Sequence, residues 1–195
     1  MPLAPLARKG AAVGMLHPLA AFPPAGSKAP FPRGIGFAVG GQRRAVAGAR
    51  RLARALGGRP FNLSVRARPA YHLAASILAN DTTVLAFLAE SLLQKERSNR
   101  RPALREAMSR LLETVAQRIR EEGPSRALTG PAARGDAITL QRHMAILTRR
   151  EGSIREIHAL LSLEALHIAA RSGALSPAQI ELARGALRKK RAKRR

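Results

Sequence analysis

The chain has no cysteine, no tryptophan, one tyrosine and only five phenylalanines among its 195 residues. Without cysteine there is no disulfide scaffold, thiolate zinc site, iron–sulfur cluster or cysteine nucleophile. Scarce aromatics leave little for stacking on nucleic-acid bases. Acid is missing too, but only locally: residues 1–80 carry 12 Lys and Arg and no Asp or Glu. No apolar run approaches the ~20 residues that a membrane span needs. The run after Arg8 and Lys9 is interrupted by His17-Pro18 before it resembles a signal-peptide core. An organelle transit peptide would share the basic, acid-free character of this segment but would be rich in serine. The expectation is a soluble, cytoplasmic protein with no membrane span.

What is present is a strongly basic chain, with 35 Lys and Arg against 12 Asp and Glu and a formal net charge of +23. Its placement matters more than its size. Residues 81–183 hold 15 basic and 12 acidic side chains, an ordinary globular balance, whereas residues 184–195 hold 8 basic side chains and no acid. Of the 35 cations 29 are Arg, in an Ala-rich chain, which fits a biased background composition as well as selection for nucleic acid. The tail reads as a solvated, disordered arm able to make weak, non-specific contact with nucleic acid or an anionic surface.

The first third is punctuated by Gly and Pro. Ala11–Leu16 reads as a short strand ended by His17-Pro18, and the four prolines from Phe22 to Pro32 mark a loop. Ile35–Val39 reads as a buried strand. Arg43–Leu56 reads as a helix, with Val46, Ala49, Leu52, Ala53 and Leu56 on one face and Gly57-Gly58 as its stop. Arg59–Val65 reads as a further strand. Strand, helix and strand joined by tight turns form one unit of a parallel α/β layer.

From Pro69 onward every periodic stretch is helical. Tyr71–Lys95 is expected to be a long helix with a core-like stripe of Ile77, Val84, Leu85, Leu88 and Leu92. Pro102–Arg120 is expected to turn Leu104, Met108, Leu111, Leu112, Val115 and Ile119 inward. Asp136 can cap a helix to about Arg149, and Ser153 one that runs to Arg171 and stops at Gly173. Ser176-Pro177-Ala178-Gln179 is a capping box that opens a last helix to about Leu187. The fold class is therefore α+β and mostly α: a short α/β remnant at 1–66, a helical bundle at 67–187 and a basic tail at 188–195.

Several chemistries are excluded by spacing. In Gly34-Ile35-Gly36-Phe37-Ala38-Val39-Gly40 the glycines bracket a strand, whereas a dinucleotide fingerprint needs them in the turn that follows it. No phosphate-binding loop or serine nucleophile elbow is present. His17, His72, His143, His158 and His167 show no metal spacing, and no metal site is expected. His158 and His167 read as ordinary packed histidines. Arg134-Gly135-Asp136 spells an adhesion tripeptide, but a helix cap at Asp136 explains that position better.

Two places invite a functional reading. Tyr71-His72 and Asn80-Asp81 lie on one long helix, and His72 precedes Asn80 by about two turns, so the two share a side. Polar residues inside an apolar helix need partners and often face a ligand; otherwise Asn80 or Asp81 caps a fresh helix after a break. The segment Ala127-Leu128-Thr129-Gly130-Pro131-Ala132-Ala133-Arg134-Gly135-Asp136 could bring backbone N–H groups and a guanidinium to an anion, or it is a compact turn between helices.

Taken in order, Leu16-His17-Pro18-Leu19 with Phe22, Gly36-Phe37-Ala38-Val39, Gly57-Gly58-Arg59-Pro60-Phe61, Tyr71-His72-Leu73-Ala74-Ala75 with Asn80, and Leu128-Thr129-Gly130-Pro131 with Arg134-Gly135-Asp136 and His143 resemble the Rossmann-like proteins with the domain of unknown function 2520. The resemblance covers about residues 10–185, and the Leu-Thr-Gly-Pro to Arg-Gly-Asp segment is its most specific part. That family is similar to pyrroline-5-carboxylate reductases and 6-phosphogluconate dehydrogenases. The resemblance implies an NAD(P)-binding fold followed by a helical domain that pairs between subunits as a homodimer and closes over an undefined small-molecule substrate. It makes His72 and Asn80 catalytic candidates, and His17, Tyr71, Thr129, Gly130 and Arg134 cleft-lining candidates. A full-length member would place a strand, a Gly-rich turn and further α/β units ahead of the position of Met1, so no cofactor-binding residue is expected in this chain alone. Gln94–Arg101 takes the place of a small Gly-containing turn, and the residues after Leu187 lie beyond the resemblance.

Three functions follow as expectations. The chain is the C-terminal part of an NAD(P)-dependent oxidoreductase-like protein, by itself inactive; or a non-catalytic helical dimerisation and interaction module; or a basic nucleic-acid-binding protein.

Overall fold

The computed structural model describes residues 3–22, 26–27, 30–93, 101–147 and 152–188. Its elements are α1 (Ala4–Arg8), β1 (Gly14–Leu19), β2 (Gly36–Gly41), α2 (Arg43–Ala55), β3 (Arg59–Asn62), α3 (Arg68–Ser76), a π-helical turn (Ile77–Asp81), α4 (Thr82–Leu93), α5 (Arg101–Glu122), α6 (Pro124–Ala127), α7 (Ala137–Ile146), α8 (Gly152–Arg171) and α9 (Pro177–Leu187). The chain is α+β and mostly α, and it divides into two compact units, Met1–Ala89 and Glu90–Arg195.

In the first unit the three strands lie in the order β1-β2-β3. β2 and β3 are parallel and joined through α2, as expected of an α/β unit, while β1 runs antiparallel to β2. β2 is covered on both faces: Phe37, Ala38 and Val39 are fully buried, and α2 contributes buried Ala53. Gly58 permits this closeness, because a Cβ there would stand 2.2 Å from the Phe37 ring. Gly57, at φ +72, reverses the chain after α2, and the Gly58 N–H donates to the Ala53 carbonyl.

Pro18 does not end β1. It sits inside the strand opposite Phe37, and it is tolerated because β1 is an edge strand whose outer side needs no N–H donor. β3 stops at Asn62 rather than Val65, since the residues beyond it turn through Ser64, whose Oγ accepts from the Ala67 N–H, into α3.

The long helical run starts at Arg68 and continues to Leu93 through the π turn, so neither Asn80 nor Asp81 caps a fresh helix. By length and composition the run is apolar enough to cross a membrane, a test that core helices also pass. The expected core stripe is not a core in this chain: Ile77, Val84 and Leu85 are exposed.

In the second unit the core gathers Ala132, Leu140, Met144, Leu166, Ala183 and Leu187 from the turn before α7 and from α7, α8 and α9. Asp136 caps α7 as expected, and Ser176 with Gln179 forms the expected capping box on α9. Gly152 is already helical, so Ser153 stands within α8 and is not its cap. α5 leaves Leu111, Leu112, Val115 and Ile119 exposed, against the expectation that they point inward. The stretch 94–100 and the basic residues after 188 lie outside the described residues.

Candidate functional site

In the Met1–Ala89 unit the fold brings together two residues 54 positions apart. His17, on β1, and Tyr71, on α3, meet with Nδ1 to OH at 3.0 Å and with their rings edge to face. Phe61, on β3, brings its ring edge-on to Tyr71 at 6.1 Å between centroids. Each contact follows from the sheet: β1 and β3 flank β2, and α3 returns directly after β3. Burial pushes the Tyr71 hydroxyl above its ordinary value, because desolvation disfavours the phenolate. Tyr71 is therefore a neutral hydroxyl that can both donate and accept, held by an imidazole.

His72, its neighbour, is exposed on α3. Asn80, on the π turn, is also exposed, and its Nδ2 donates to Ser76 Oγ at 3.1 Å. A π turn sets aside the 3.6-residue spacing on which the alignment of His72 with Asn80 rests, and such turns recur at functional sites.

In the Glu90–Arg195 unit, Leu128–Asp136 is a compact turn. The N–H groups of Arg134 and Asp136 both donate to the Pro131 carbonyl, Gly135 donates to Ala132, and Ala137 donates to Gly135. Asp136 takes the Thr139 N–H at 3.0 Å and its hydroxyl at 2.7 Å, which holds the carboxyl below the usual carboxylate range. The N–H groups from Arg134 to Ala137, and that of Thr139, are therefore used within the turn and the cap. Thr129 and Arg134 are exposed, and Gly130 has a φ of +99 that L side chains rarely adopt.

Sequence reasoning missed one pairing. His143 on α7 and His158 on α8 approach to 3.3 Å between Nδ1 and Nε2. Burial, and then the neighbouring His143, push His158 below its ordinary value. Arg155, one turn before it, donates to the carbonyls of Met144 and Leu147 at the end of α7. Nothing in a spacing of 15 residues across two helices signals such a contact. Among the described residues no group of three or more His, Asp or Glu could hold a metal ion.

The glycines near β2 do not make a dinucleotide cradle. A Cβ on Gly40 would meet the Leu63 carbonyl at 2.4 Å, and one on Gly41 would meet the Gly14 Cα at 2.5 Å. These glycines let strands and loops pass closely.

Residues 35–165 match the domain of unknown function DUF2520. The chain belongs to that family. Its fold is similar to that of a "putative NADP oxidoreductase" from Bacteroides fragilis, at 25% identity and a TM-score of 0.64, over 79% of this chain and 57% of that one. It is also similar in fold to a protein from Thermotoga maritima, at 23% identity and a TM-score of 0.57, over 90% of this chain and 63% of that one. The chain thus spans less than two thirds of the length of either. No curated protein matches it.

Proposed function

We propose that the chain supplies the substrate-side part of an NAD(P)-dependent oxidoreductase-like protein acting on a small molecule, and that alone it does not hold the dinucleotide. The observation that carries this reading is the likeness to the Bacteroides fragilis protein over 79% of the chain. The His17–Tyr71 pair gives it chemistry. Reduction of a carbonyl or imine calls for a proton donor, and a neutral tyrosine hydroxyl backed by an imidazole can donate and be refilled. His72 and Asn80 remain the catalytic candidates on the exposed side of α3 and the π turn. Thr129, Gly130 and Arg134 are the cleft-lining candidates of the second unit, with the Arg134 guanidinium suited to an anionic substrate group.

The chain also pairs with a second copy through its helical part in this reading. Exposed Val84 and Phe87, three apart on α4, and separately exposed Leu111 and Val115, four apart on α5, support it, because large apolar side chains left open on one helix face suit an interface. A non-catalytic dimerisation module rests on the same surfaces.

Titration of the chain with NADPH tests the main reading. Cofactor fluorescence and the protein's Tm are expected to stay unchanged, and a micromolar Kd would sink the claim that this chain lacks the cofactor site.

A further inference from the structure

α2 carries five arginines in its 13 residues: Arg43, Arg44, Arg50, Arg51 and Arg54. At about 100° per residue they fall within an arc of roughly 120° on the helix surface. Val46, Ala49 and Ala53 lie outside that arc, and Ala53 is fully buried. Arg43, Arg44, Arg51 and Arg54 are exposed. Arg50 is half-buried, and its Nη2 donates to Asn62 Oδ1 at 2.9 Å.

No carboxylate neutralises this face from the same part of the chain. Residues 1–80 contain no Asp or Glu, and among the described residues none of the five arginines forms an ion pair. Asn62, the partner of Arg50, is neutral. The arrangement also works against the helix itself. Arg43 and Arg44 stand in its first turn, where the backbone N–H groups already carry partial positive charge. Arg50 with Arg54, and Arg51 with Arg54, are like-charge neighbours about one turn apart and repel. In the second unit arginine finds carboxylates instead, as Arg118 does with Glu122 at 3.1 Å. The α2 face thus concentrates positive charge that only a group from outside can balance.

We propose that the arginine face of α2 binds the phosphate backbone of a nucleic-acid duplex without reading its sequence. From Arg43 to Arg54 the helix rises about 16 Å, a length over which a duplex carries about ten phosphates. Guanidinium forks match phosphate oxygens and stay charged throughout the physiological pH range. A single strand fits this face less well, since α2 has no aromatic side chain on which bases could stack. An anionic membrane fits less well too. A helix lying in a bilayer surface sinks a broad apolar face, whereas the buried side of α2 already covers β2. Leu52, the large apolar side chain that α2 leaves exposed, stands nearly opposite Arg54. None of these arginines belongs to the oxidoreductase reading, and the proposal does not rest on it.

Fluorescence anisotropy of a labelled DNA duplex of about 20 base pairs, titrated with the full chain over a range of KCl concentrations, is the test. A variant combining Arg43→Gln, Arg44→Gln, Arg51→Gln and Arg54→Gln is expected to bind at least about tenfold more weakly near physiological salt. Its slope of log affinity against log salt should fall by about 3. If that variant loses its helical circular dichroism, Arg51→Gln with Arg54→Gln carries the same test, with a fall of about 2. The same loss is expected when the cations from Lys189 to Arg195 have also been replaced by Gln, which separates the face from the tail. Failure of the parent chain to bind the duplex overturns the proposal. So does an unchanged slope in the folded variants, because binding then belongs to other cations. Arginine-dependent binding to phosphatidylserine vesicles that outcompetes the duplex overturns it as well and assigns the face to a membrane.

Discussion

His17 Nδ1 and the Tyr71 hydroxyl lie 3.0 Å apart, and that contact ties the edge strand β1 to α3 across the width of the small sheet. The pair is part-buried and Phe61 closes one side of it. Tyr71→Phe removes the hydroxyl and keeps the ring. The expected loss is about 1 kcal/mol in chemical denaturation, the ordinary net worth of such a hydrogen bond. The His17 ring resonances should shift in the same variant, and unchanged resonances would mean that the two groups do not meet in solution.

The His143–His158 pair predicts a pH dependence with a definite sign. Burial and the neighbouring imidazole lower the folded-state value of His158, so the unfolded chain binds this proton more readily than the folded one. The stabilising effect is fully present above the unfolded value, roughly 6.5. It is lost as pH falls from there through the lower folded value. The Tm should therefore drop between neutral and mildly acidic pH, and His158→Gln should flatten that limb. An identical limb in the variant would assign the effect to other groups.

Two glycines of β2 and α2 should respond oppositely to the same added methyl. A Cβ at Gly40 would meet the Leu63 carbonyl at 2.4 Å, whereas one at Gly48 meets nothing within 4 Å. Gly40→Ala should cost about 1–3 kcal/mol through forced displacement of backbone. Gly48→Ala, inside α2, should gain about 0.5–1 kcal/mol from reduced chain entropy. Thermal melts of the two variants side by side provide the check.

The apolar face of α5 predicts self-association. Leu111 and Val115 lie one turn apart, and both are exposed. Light scattering is expected to give twice the chain mass. The double change Leu111→Glu with Val115→Glu should return a monomer without lowering the helical content. A monomeric parent chain would remove the case for a second copy on this face.

Much of this protein was legible in local chemistry. The capping box of Ser176 and Gln179, the Asp136 cap and the Gly57 reversal are satisfied within three or four residues, so no distant neighbour can overrule them. The parallel pairing of β2 with β3 through α2 follows from chain length and handedness. The family resemblance was carried by short motifs in a fixed order, and the family match covers residues 35–165.

What failed were judgements that depend on a partner surface. A periodic stripe says that a helix has an apolar face; it does not say whether this chain covers it, and Val84, Leu111 and Val115 stay open. Pro18 looked like a strand end because a lone sequence cannot show that β1 has a free edge. Sequence by itself determined most of the elements, the caps at Asp136 and Ser176 and the family, since those rest on neighbours along the chain. Only the tertiary structure decided which side chains meet: His17 with Tyr71, and His143 with His158. Those contacts join elements through strand order and helix packing, and no local spacing encodes either.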